Sequence, residues 1–141
     1  MSGYWAKAPQ SRSQLVLFAT TVDDRIGDDH PVRLLAEILE QVDWSEFEAE
    51  YHGQIGQPPI HPRILAGVWL YALRRGFRSS RKLEYFTRNN IDFNWLAEGQ
   101  TPDHSTLSTF RTKFSKALRG LFRQVAHITL TMGFLQLVDV A

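Results

Sequence analysis

A chain of 141 residues, 43% hydrophobic and 12% aromatic, fits one domain and can bury a core, which excludes intrinsic disorder for most of its length. It has no cysteine, so a disulfide frame and any Cys-based metal or thiol site are excluded. The formal net charge of +1 conceals a division, because residues 1–60 carry four basic and ten acidic residues, a net of −6, and residues 61–141 carry twelve and five, a net of +7.

Either the positive half binds a polyanion or the two halves attract each other inside one domain. No apolar run approaches the roughly 20 residues of a membrane helix, and the opening MSGYWAKAPQSRSQ lacks the apolar core of a signal peptide. A soluble, cytoplasmic protein is expected.

Residues 1–13 read as a flexible arm, and Gln14 to Phe18 as a short strand or a docked arm. The acidic run Asp23, Asp24, Asp28 and Asp29 precedes Pro31, suited to a first helical turn where negative charge favours the helix dipole. Leu35, Ile38, Leu39 and Val42 at i, i+3, i+4, i+7 then predict an amphipathic helix over 30–42, with Trp44 and Phe47 on a short following turn. The segment YHGQIGQPPIHP, residues 51–62, holds two glycines and three prolines and breaks the helix.

From Ile64 to Leu73 no residue is charged, whereas Arg74, Arg75, Arg78, Arg81 and Lys82 crowd the next stretch around Gly76 and Ser79-Ser80. This predicts a buried central helix from His61 or Pro62 to about Gly76, followed by a basic surface turn. A second helix starts at Ser79 or Ser80, with Leu83 and Phe86 inward, and stops near Asn89-Asn90. Ile91 to Leu96 makes a short helix closed by Gly99.

Thr101-Pro102 is read as a cap and first helical residue, with Asp103 as the alternative cap, and Leu107, Phe110 and Phe114 lie on the inner face. That leaves hydroxyls and cations on the other side, residue types that approach phosphates and base edges, or else an ordinary solvated face. A final helix is expected from Lys116 to Met132 on Leu118, Leu121, Phe122, Val125 and Ile128, ended by Gly133. Residues 134–141 then read as the start of a strand. The expected fold is all-α, with a helical domain over 14–133 and a helix-turn-helix-like unit over 79–89, 91–97 and 102–114, whose last helix would enter the major groove.

Enzyme signatures are weak. His30, His52, His61, His104 and His127 are scattered without zinc-helix spacing, and the paired aspartates read as capping features. There is no glycine-rich phosphate loop and no distinctive Ser/His/Asp context.

The segments DDHPVRLL (28–35), GQPPIHPRIL (56–65), FRSSRKLE (77–84), WLAEG (95–99) and TPDHSTLSTFR (101–111) together resemble the N-terminal domain of InsH-like bacterial insertion-sequence transposases of the DDE class. The resemblance spans roughly residues 14–135. It implies an all-α domain that recognises the inverted repeats at transposon ends and precedes a ribonuclease-H-like catalytic domain using divalent metal. Asp139, followed by Val and Ala, does not match the aspartate-Gly-Thr of that catalytic strand and receives no role. The chain therefore resembles a transposase cut before its active site, so neither a catalytic residue nor a cofactor is expected in it.

The expected partner is double-stranded DNA, with nucleoid association when bound. Arg74, Arg75, Arg78, Arg81, Lys82 and Arg88 are predicted to contact phosphates, and His104, Ser105, Ser108, Thr109, Arg111 and Thr112 to face the groove. The alternatives are a module that pairs with itself or with a full-length transposase, and an inactive remnant.

Overall fold

The computed structural model describes residues 21–51 and 59–140, with side chains in the last helix described through residue 128 and at Leu130. Among the described residues a 3-10 turn, Asp23–Arg25, leads into seven helices: α1 Pro31–Glu40, α2 Ser45–Ala49, α3 Pro62–Arg74, α4 Ser80–Asn89, α5 Ile91–Leu96, α6 His104–Lys113 and α7 Ser115–Val140. The fold is all-α, with no strand among the described residues.

Helices α1, α4, α5 and α6 all pack on α3. All nine residues from Ile64 to Ala72 are buried, the behaviour of a helix that is apolar all round. Helix α1 lays Val32, Leu35 and Leu39 against it, and Gly67 sets how close the two come. A Cβ at Gly67 would stand 2.9 Å from Leu39 Cδ1, inside contact distance. Across the other side, Trp69 Nε1 donates to the Leu107 carbonyl at 3.0 Å, so the central helix grips the middle of α6. Phe47, Phe110 and Phe114 close the α2 end, with ring centroids 5.0 Å apart for Phe47–Phe114 and 4.9 Å for Phe110–Phe114. Phe77, Phe86 and Phe93 close the opposite end against Tyr71.

Helix starts follow their caps. Ser79 Oγ accepts from Lys82 N–H at 3.2 Å, as expected for α4. His30 and His61 each turn Nδ1 onto the backbone N–H two residues on, so both imidazoles serve as N-caps of α1 and α3. The expected start of α6 is corrected: Thr101 and Pro102 lie before the helix, and Asp103 caps it by accepting from Thr106 N–H at 2.8 Å. A carboxylate outranks threonine at this position because it also complements the helix dipole.

The expected chain end is corrected too. Gly133 does not stop α7, which continues to Val140 instead of giving way to a strand at 134. Glycine inside a helix costs only about 1 kcal/mol relative to alanine, whereas a lone strand would leave its backbone groups without partners. The arm, the Gln14–Phe18 segment and most of the loop after Tyr51 lie outside the described residues. Helix α4 packs on both α5 and α6. Residues 97–103 connect α5 to α6, a longer link than the three- or four-residue turn of a compact helix-turn-helix.

Candidate nucleic-acid interface

The basic turn is built by a helix ending. Gly76 takes φ +87°, which lets its N–H reach the Leu73 carbonyl and Phe77 N–H reach that of Ala72. This double closure tucks Phe77 against the core and throws Arg74, Arg75 and Arg78 outward. Arg74, Arg78 and Arg81 are exposed and have no ion-pair partner among the described residues.

The other expected phosphate contacts are already engaged. Arg75 Nη1 stands 3.7 Å from the Asp92 carboxylate, with its guanidinium 5.9 Å over the Tyr71 ring. Asp92 also accepts from the Tyr71 hydroxyl at 2.9 Å and lies 3.4 Å from His30, so one carboxylate joins the start of α1, the end of α3 and α5. Lys82 stands over Phe77 at 5.0 Å. Arg88 pairs with Glu84 at 3.3 Å, and the same carboxylate accepts from the backbone N–H of His104 and lies 3.0 Å from its Nδ1. The His104 contact, ahead of the smaller contribution of Arg88, holds the Glu84 carboxyl below its ordinary range. The Glu84–His104 contacts therefore join α4 to α6, whereas Arg88 is held within α4.

On α6 the predicted residues divide. Ser105, Ser108, Thr109 and Thr112 sit at i, i+3, i+4, i+7, opposite the buried Leu107, Phe110 and Phe114. This stripe of α6 thus carries four hydroxyls, with exposed Lys113 at its edge. Arg111 lies on the flank: its Nη1 donates to the Arg78 carbonyl, and its guanidinium stacks 4.5 Å from the centroid of the Trp69 ring. It fastens α6 to the basic turn.

A second concentration of cations includes two, Arg119 and Arg123, that the sequence reading missed. Arg78 and Arg111 join Arg119 and Arg123 of α7 around a groove of about 720 Å³. Its floor includes Trp69, Leu73, Phe77 and Phe122, and no acidic residue lines it. Phe122, expected in the core, is 41% exposed. The signal was present, since Lys116, Arg119 and Arg123 repeat at i, i+3, i+7 opposite the buried Leu118, Leu121 and Val125. It was hidden by reading α7 only for its apolar residues.

Residues 20–113, well over half of the chain, match the family model described as a transposase domain, DUF772. The chain belongs to this transposase-domain family. No curated protein and no solved structure matches it. The matched span of the transposase domain runs through α6 and stops before α7, so the basic turn and the hydroxyl face lie inside it while Arg119, Phe122 and Arg123 lie beyond it. Among the described residues, no three or more His, Asp and Glu side chains gather into a group that could hold a metal ion, and no helix is long and apolar enough to cross a membrane.

Proposed function

We propose that this transposase domain binds double-stranded DNA at transposon ends. The observation that carries the reading is the juxtaposition of the hydroxyl stripe of α6 with exposed Arg74, Arg78 and Arg81, which have no ion-pair partner among the described residues. Short hydroxyls approach base edges without repulsion, and unpaired guanidinium groups take phosphates. In this arrangement α6 is the reading helix of a helix-turn-helix-like unit and α4 braces it. Arg75, Arg88, His104 and Arg111 hold the surface in shape, while Arg74, Arg78 and Arg81 make the phosphate contacts.

The resemblance to InsH-like transposases supports a division of labour in which strand cleavage and joining belong to a DDE domain with its divalent metal, and end recognition belongs to this one. A gel-shift titration against the element's terminal repeat and a scrambled duplex tests the reading. Tighter binding to the repeat is expected, and equal affinity for both removes the claim of sequence recognition.

Phe122 and Leu130, two large apolar side chains exposed on α7, favour a second reading in which α7 pairs the domain with another copy. Light scattering separates the two: a stable dimer without DNA supports pairing, and a mass change only on adding DNA supports the first reading.

A further inference from the structure

We infer that the groove between the α3–α4 turn, α6 and α7 takes an unpaired nucleotide of a DNA strand, with the base stacked on Phe122 and the neighbouring phosphates held by Arg78, Arg119 and Arg123. The inference rests on the reading that this domain engages DNA and assigns it a second, adjoining site that shares Arg78 and Thr112 with the first.

The walls and floor of the groove ask for two chemistries at once. Four guanidinium groups with no carboxylate among them call for an anion. A phosphate alone, however, has no use for an apolar floor containing a 41% exposed phenylalanine. The outside of a duplex offers sugar and phosphate and keeps its base faces stacked, so it matches the rim and not the floor. An unpaired nucleotide offers both, a free π-face joined to a phosphate, which is the pairing that aromatic platforms flanked by cations recognise.

Two further features favour a nucleotide over an acidic amphipathic helix. The groove already presents one flat layer, since the Arg111 guanidinium lies on Trp69 at 4.5 Å, and Phe122 lines the same groove. The hydroxyls of Thr112 and Ser115 line the same groove, where they can meet the edge of a base. Thr112 also belongs to the outward face of α6, so a strand leaving a duplex on that face enters the groove without crossing the body of the domain. The volume, about 720 Å³, lies in the range of roughly 300–1,000 Å³ usual for ligand sites.

Fluorescence anisotropy with labelled oligothymidylate and with a duplex of equal length tests this on the full chain. Phe122→Ala is expected to weaken oligothymidylate binding by between about fivefold and 150-fold, the cost of one lost base–aromatic stack, while duplex affinity stays within about twofold. Phe122→Trp should restore single-strand binding, and an unchanged thermal melt of Phe122→Ala shows that its fold is intact. The inference is overturned if the wild type does not bind oligothymidylate, if both substrates lose affinity equally, or if Phe122→Ala abolishes binding of an acidic amphipathic peptide or self-association and leaves the oligonucleotide untouched. Loss of duplex binding alone, with Phe122-dependent single-strand binding retained, would sink the duplex reading and keep the groove.

Discussion

The two cation-rich regions of the molecule differ in what their charges are attached to. In the stretch from Arg74 to Arg88, half of the six cations are held by the protein itself: Arg75 by Asp92 and Tyr71, Lys82 by Phe77 and Phe86, and Arg88 by Glu84. On α7, Arg119 and Arg123 line an apolar groove without a carboxylate beside them. A run of basic residues therefore overstates a polyanion surface, because a guanidinium that is already paired has less to gain from a phosphate. The sparser α7 cations, set at helical spacing, are exposed and have no ion-pair partner among the described residues.

The comparison is broken most severely at Trp69, which is 2% exposed, seats Arg111 and bonds to the Leu107 carbonyl. Trp69→Ala should destabilise the fold by about 3–5 kcal/mol in urea unfolding, and both cation regions should lose their binding together. Trp69→Phe keeps much of the packing and should lose less. A smaller effect is expected at Ser79, whose hydroxyl caps α4 just before Arg81 and Lys82. Ser79→Ala should cost about 1 kcal/mol in the same assay and fray the start of α4, leaving Arg119 and Arg123 on α7 in place.

The smallest effect is that of acid. Four carboxyls are held below their ordinary range: Asp23 by Trp95 and Arg33, Asp43 by Ser45, Glu84 chiefly by His104, and Asp103 by the Thr106 N–H it caps. A carboxyl depressed in the folded state contributes stability above its unfolded pKa and loses that contribution as pH falls through the folded one. Urea midpoints should therefore be flat near neutrality and decline below the ordinary carboxylate range. The triple substitution Asp23→Asn, Glu84→Gln and Asp103→Asn should flatten that decline.

The sequence carried the fold well where one physical rule dominated. The uncharged run from Ile64 to Leu73 marked the central helix, because only a helix buried all round dispenses with charge, and Gly76 marked its end. It carried the start of α6 poorly, since Thr101-Pro102 and Asp103 compete as starts and only the backbone decides which side chain meets a free N–H. The end of α7 was misread by treating Gly133 as a stop, although a glycine ends a helix only where the chain turns to positive φ. The site was legible in residue type and not in connection. Arg75 and Asp92 lie far apart in sequence, as do Arg111 and Trp69, and nothing local reveals that these cations are occupied. Glu84 and Arg88, at i, i+4, were the exception that spacing alone exposes.

The difference between attached and unattached cations is tested most directly by the salt dependence of duplex binding in two double variants, Arg74→Ala/Arg81→Ala and Arg75→Ala/Arg88→Ala. Each phosphate contact contributes about −0.9 to the log–log slope, so the first pair should flatten the slope by nearly 2 and the second should leave it almost unchanged. Equal flattening by both pairs would contradict the assignment of binding to the unpaired cations.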